Sequence, residues 1–130
     1  MLHLLSRFVK SARERSEPVS YRHINKITKA IGYFNENISK PIEIKELSDM
    51  SYCSNDYFSK IFVKIMGTTP VDYINLKKVE SAQLQLITSD DPIEKISLQV
   101  GIDNFPYFIR MFKKYTHNTP GEYRKLHKVI

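Results

Sequence analysis

The sequence predicts an all-α protein of about seven helices with essentially no sheet. Three observations predict it. Apolar residues recur at three- and four-residue spacing nearly everywhere, no stretch sustains the alternation of a strand, and proline and glycine sit where helices should start and stop.

The first stripe is Ile24, Ile27, Ile31 and Phe34, continued loosely to Ile38. Ile44 and Leu47 mark a short helix, and Phe58, Ile61, Phe62 and Ile65 mark the next. A longer helix carries Leu76, Val79, Leu84 and Ile87, with Ala82 allowing a neighbour to approach closely. Ile93, Ile96 and Val100 follow, and then Phe108, Met111, Phe112 and Tyr115 face the core. Thr69-Pro70-Val71-Asp72 offers a cap, a first-position proline and an early acid that suits the helix dipole. Asp91-Pro92-Ile93-Glu94 and Thr119-Pro120-Gly121-Glu122 repeat the pattern, each with a glutamate placed for a capping box. Gly67 and Gly101 stand at helix ends.

With 130 residues, the chain can form one ordinary domain or two very small ones sharing a core. Hydrophobic residues at 42% and charged residues at 26% exclude a wholly disordered chain. The single cysteine, Cys53, excludes an internal disulfide and a cysteine-rich zinc cluster, and reads as a small, partly buried hydrophobe. No apolar run approaches the roughly 18 residues that cross a bilayer. The start, Met1 to Ser6, lacks the basic lead-in of a secretory signal, so the expected compartment is the reduced cytoplasm, with no membrane partner. His3, His23, His117 and His127 are scattered without metal spacing, and neither a glycine-rich phosphate loop nor a nucleophile motif occurs. The expectation is therefore no enzyme, no cofactor and no metal. Lys and Arg at 20 against Asp and Glu at 14 leave a net charge of +6, which favours an anionic partner, nucleic acid being the commonest.

Residues 1–22 differ from the rest. Arg7, Lys10, Arg13, Arg15 and Arg22 make the segment basic, Leu4, Leu5, Phe8 and Val9 give it a small apolar face, and Pro18 separates it from the first core helix. It reads as a basic leader or an interdomain linker, with the linker preferred.

The chain repeats itself. Tyr57 and Tyr107, Phe58 and Phe108, Phe62 and Phe112, Lys64 and Lys114, Thr69-Pro70 and Thr119-Pro120, and Tyr73 and Tyr123 each stand 50 positions apart. Upstream, Ile44-Lys45-Glu46-Leu47-Ser48 pairs with Ile93-Glu94-Lys95-Ile96-Ser97 at an offset of 49, the odd residue falling in a turn. Each half reads as short helix, tight turn, longer helix, and the small Ser48 and Ser97 would let the two helices cross closely.

On these residues the chain resembles the AraC family of bacterial transcription regulators, over roughly Ile24 to Arg124. The specific part is the second half, from Ile96-Ser97 and Gly101 through Tyr107-Phe108, Arg110, Phe112-Lys113-Lys114, Thr119-Pro120 and Tyr123-Arg124. The resemblance implies two three-helix helix-turn-helix subdomains joined by a long central linker helix. It divides the chain into a first subdomain at 23–70, the linker helix at 71–89 and a second subdomain at 90–130. A strut from Val71 to Thr88 would be about 27 Å long at 1.5 Å per residue, enough to offer two reading helices to successive major-groove faces about 34 Å apart.

The implied partner is double-stranded promoter DNA, bound as a monomer. Activation would require contact with RNA polymerase, which the residues do not locate, and a sensor domain outside this sequence would be the place for dimerisation. In the first unit Asn55, Asp56, Ser59 and Lys60 are left outward for base edges, and Lys64 for phosphate. Asp56 reads equally as a helix-dipole acid. In the second, Asn104, Phe105, Pro106, Ile109 and Arg110 form the reading face, with Lys113 and Lys114 for phosphate. Arg110 leads, since its fork can grip a guanine or two phosphate oxygens. Phe105 and Ile109 are apolar on that face and suit thymine methyls, a second protein, or a helix slightly rotated from this reading. The alternative function is thus a helical module docking a protein through Phe105 and Ile109.

The sequence also departs from the family pattern. His117 stands where glycine is usual, Ile102 where an aromatic is, Ser48 and Ser97 where alanine is commoner, and Lys78 where arginine is. His117 leaves open a differently shaped turn.

Overall fold

The computed structural model describes residues 20–129. Over these the chain forms helices and no strand: α1 (Tyr21–Glu36), α2 (Ile44–Met50), α3 (Asn55–Met66), α4 (Pro70–Thr88), α5 (Ile93–Gln99), α6 (Phe105–Thr116) and α7 (Pro120–His127). The basic segment before Ser20 lies outside the described residues; Arg22 belongs to the first turn of α1. No helix among the described residues is long and apolar enough to cross a membrane.

Two compact units emerge. Among the described residues, one holds residues 20–36 together with Glu43–Tyr73, and the other holds Asn37–Ile42 and residues 74–129. In the first, Ile27, Ile31 and Phe34 of α1 are buried, as are Leu47 of α2 and Phe58, Ile61, Phe62 and Ile65 of α3. The periodicity located these residues because each helix has one apolar face and one wet face.

The second unit's core is Val79, Ala82, Leu86, Ile96, Val100, Ile102, Phe108, Met111 and Phe112. Three of these belong to α4, and from Ile74 onward the expected linker helix falls within the second unit. Its 19 residues span about 28 Å. The stripe expected on α4 is corrected here. Leu76 is 43% and Leu84 60% exposed, while the buried face runs through Ile74, Lys78, Val79, Ala82 and Leu86. Val79 and Ala82 lie on it as expected, but a lysine shares that face, so a search for large apolar residues adds the exposed neighbours Leu76 and Leu84.

The two halves repeat in side-chain geometry as well as in sequence. The Phe62 and Tyr73 rings meet edge to face at 5.5 Å, and Phe112 and Tyr123 do so at 5.4 Å. Phe58–Phe62 and Phe108–Phe112 are both 5.9 Å apart. Such aromatic pairs add stabilisation beyond the area they bury. Ser48 and Ser97 are buried and do more than leave room. The Ser48 hydroxyl donates to Lys45 O and to Asn55 Oδ1, and the Ser97 hydroxyl donates to Ile102 O at 2.7 Å. Each therefore satisfies a polar group inside the turn it supports.

Of the three caps expected from the sequence, two form, and Ser54 adds one that was not expected. Ser54 caps α3 by accepting from Tyr57 N, and Thr69 accepts from Asp72 N at 3.1 Å. Thr119 and Glu122 form a complete capping box on α7. The box expected at Asp91 and Glu94 does not form. Pro92 stands at the cap position of α5, and Asp91 instead accepts from Lys95 Nζ at 3.4 Å.

Candidate nucleic-acid interface

Helices α3 and α6 are the second helices of the two helix-turn-helix units. Each begins at a polar cap, Ser54 accepting from Tyr57 N at 3.2 Å and Asn104 Oδ1 accepting from Tyr107 N at 3.0 Å. Asn104, expected to read bases, has its carbonyl oxygen committed to starting α6.

On α3, Asn55, Asp56 and Lys60 are exposed and Ser59 is half-buried. Asn55 is bound to its own unit through the Ser48 hydroxyl, which occupies its amide oxygen and leaves the amide hydrogens as the donors it can offer. Lys64 is half-buried and is engaged within the fold. On α6, Pro106, Arg110, Lys113 and Lys114 are exposed. Lys60 and Arg110 thus occupy one register of the repeat, both open to solvent, with Ser59 and Ile109 as the half-buried pair beside them. Lys114 Nζ lies 5.7 Å from the Tyr115 ring centroid, a cation–π contact on the outer flank.

Phe105 and Ile109 do not stand free on the solvent face. Both are half-buried and pack against the second core, and the Phe105 ring lies stacked on Phe108 with centroids 6.5 Å apart. A slightly rotated α6, with these two residues turned toward the core, is the arrangement found. Half-burial removes much of the apolar area that a docking face would need.

Tyrosines at the repeated position after each cap brace both helices, a role the sequence reading missed. The Tyr57 hydroxyl and His23 Nε2 are 2.8 Å apart, and the Tyr107 hydroxyl accepts from Asn75 Nδ2 at 3.2 Å. Their common signal was the 50-residue repeat itself.

Turn shape is conserved where the sequence departs. His117 ends α6 in the left-handed conformation at φ 66°, as Gly67 ends α3 at φ 76°. Each N–H returns to the carbonyl four residues back at 2.8 Å, His117 to Lys113 and Gly67 to Val63. The turn therefore keeps its form, and the histidine bears the strain that glycine avoids.

The site's other missed residue is Lys78. It is 2% exposed, and its ammonium donates to Ile38 O at 2.8 Å, Lys40 O at 2.9 Å and Val100 O at 2.6 Å. Burial pushes it down to about 8 from 10.5. The lysine ties segment 37–42 and the end of α5 to α4, and so fixes the turn from which α6 departs. Arg124 does similar work at the far end, its Nε donating to Leu86 O at 3.1 Å and its Nη2 to Ser89 O at 3.2 Å. Glu122 is held below the usual carboxylate range, chiefly by the Thr119 backbone N–H.

A family model described as a helix-turn-helix domain matches residues 47–126. The bifunctional transcriptional activator and DNA repair enzyme AdaA of Bacillus subtilis (strain 168) is 36% identical over 97 residues, which is 75% of this chain and 46% of that protein. The chain thus spans less than half the length of that relative. Among solved structures, the C-terminal domain of the two-component response regulator yesN from Fusobacterium nucleatum is 33% identical, with a TM-score of 0.74 over 77% of this chain and 98% of that one. The DNA-binding domain of AdpA, solved in complex with a target DNA, shares the fold at 20% identity and a TM-score of 0.74, covering 78% of this chain and 91% of that one. With two capped helices in matching positions of repeated units and a family match over more than half its length, the chain belongs to the AraC-type helix-turn-helix family of transcription regulators.

Proposed function

We propose that this chain binds double-stranded DNA sequence-specifically, laying α3 and α6 in the major groove, and regulates transcription from the promoter so bound. The observation that carries this reading is the matched exposure of Lys60 and Arg110 on two capped helices of the same register. Arg110 grips guanine, Lys60 donates to a guanine edge, and Asn55 and Asp56 address neighbouring bases in the first unit. In the second, Pro106 and the exposed edges of Phe105 and Ile109 offer apolar contact to thymine methyls, and Asn104 sets the helix start from which they project. Lys113 and Lys114 supply phosphate contacts, as does Lys64 if it exchanges its present partner.

Both reading helices belong to one polypeptide, so a monomer is sufficient for two recognition elements. In this reading segment 71–89 is both spacer and second-unit core. RNA polymerase is the neighbour a promoter-bound regulator of this kind contacts. The role is binding and not catalysis: the repair activity in the name of AdaA is a property of that longer protein.

Selection of bound sequences from a random duplex pool tests the proposal. Two short motifs are expected, and Arg110→Ala should blur only one of them. An unaltered motif from folded Arg110→Ala protein would refute the assignment of α6. The rival reading, protein docking through Phe105 and Ile109, predicts an affinity that barely responds to salt, whereas duplex binding should weaken steeply.

A further inference from the structure

We propose that the first unit carries a binding site for a small phosphate-bearing molecule, in the cleft between α1 and the turn joining α2 to α3. The cleft has a volume of about 230 Å³ and is lined by Arg22, Asn25, Lys26, Lys29, Met50, Ser51 and Tyr52. Three cations line it and no carboxylate does. Arg22, Lys26 and Lys29 follow one another at four- and three-residue spacing, so they share a face of α1. Among the described residues Arg22 and Lys29 have no acidic partner, and the Lys26 ammonium makes only a long contact, 3.6 Å, to the Cys53 sulfur. Like charges gathered this closely repel one another, and a dianion relieves that repulsion.

An independent feature points the same way. Ser51 is 3% exposed, and its hydroxyl is the buried side-chain polar atom that has no hydrogen-bond partner among the described residues. Buried polar groups are nearly always satisfied, so an orphan in the lining of a basic cleft marks a place for a bound oxygen. Asn25 adds amide donors, and Met50 and Tyr52 give the cleft an apolar wall. The volume and that wall suit a phosphate attached to a small organic body better than a bare ion. A backbone phosphate of DNA has the same chemistry, and the experiment separates the two.

The test uses the full chain and calorimetric titration with inorganic phosphate and with ribose 5-phosphate, at an ionic strength held constant with chloride. Saturable one-to-one binding is expected, tighter for ribose 5-phosphate. Lys26→Gln and Ser51→Ala should each weaken it at least tenfold. Ser51→Ala removes only an unpartnered hydroxyl, so its melting temperature should not fall, and Lys29→Gln is a surface change that serves as a second variant. A random-sequence duplex supplies the other arm. Unchanged duplex affinity in Ser51→Ala and Lys29→Gln supports the small-molecule site. Tenfold loss of duplex affinity in both, with ribose 5-phosphate displaced by duplex, would overturn it in favour of backbone phosphate. Absence of saturable binding, or binding equally strong in Ser51→Ala, would also overturn it. None of these results bears on the selected DNA motif, so this site and the duplex-reading proposal fail separately.

Discussion

Gly101 and Lys78 occupy adjoining space so closely that a methyl group on the glycine would sit 2.6 Å from the lysine nitrogen and 2.5 Å from Lys40 O. Gly101 also lies at φ 78°, where side chains are strained. Gly67, at φ 76°, has open space around the same position. Gly101→Ala should therefore destabilise the protein by about 3 kcal/mol, and Gly67→Ala by about 1 kcal/mol. Chemical denaturation of the two variants measures the contrast; equal losses would mean that the contact at Lys78 is unimportant.

Lys78 should make stability depend on pH in the alkaline range. It falls to about 8 in the folded protein against 10.5 when unfolded. Below pH 8 both states hold the proton, and the folded state bears the full cost of burying the charge. Between the two values the unfolded chain binds the proton that the folded chain has released, so stability rises with pH. The slope is at most about 1.4 kcal/mol per pH unit. Denaturant midpoints from pH 7 to pH 10, compared with Lys78→Met, report it. A wild-type curve that falls relative to the variant would contradict the sign.

His117→Gly should raise stability by about 1 kcal/mol, because it removes a left-handed non-glycine residue without altering the turn. Thermal unfolding would show it as a higher midpoint. A lower midpoint would mean that the imidazole contributes more than its backbone costs.

Lys113→Ala should lower affinity for all duplexes by a similar factor. It should also reduce the magnitude of the salt slope by about one, as expected for one lost phosphate contact. Arg110→Ala should instead act on sequence preference, costing about 1–3 kcal/mol at the guanine it reads. Fluorescence anisotropy across salt concentrations distinguishes the two; a uniform loss for Arg110→Ala would reassign it to phosphate.

Much of this protein is legible in one dimension. Helical periodicity placed the buried faces of α1, α3 and α6, because an amphipathic helix writes its orientation into spacing. The 50-residue repeat revealed two equivalent units, and Thr119 and Glu122 announced a capping box through local chemistry alone. Tertiary packing decided the rest. It turned α4 so that Lys78 faces inward and Leu84 outward, a choice set by carbonyls as distant in sequence as Ile38 O and Lys40 O. It drew Phe105 onto Phe108, committed Asn55 to Ser48, and left the Ser51 hydroxyl buried without a partner. Spacing records which face of a helix is apolar. The partners of a buried polar atom depend on segments that meet only after the chain has folded.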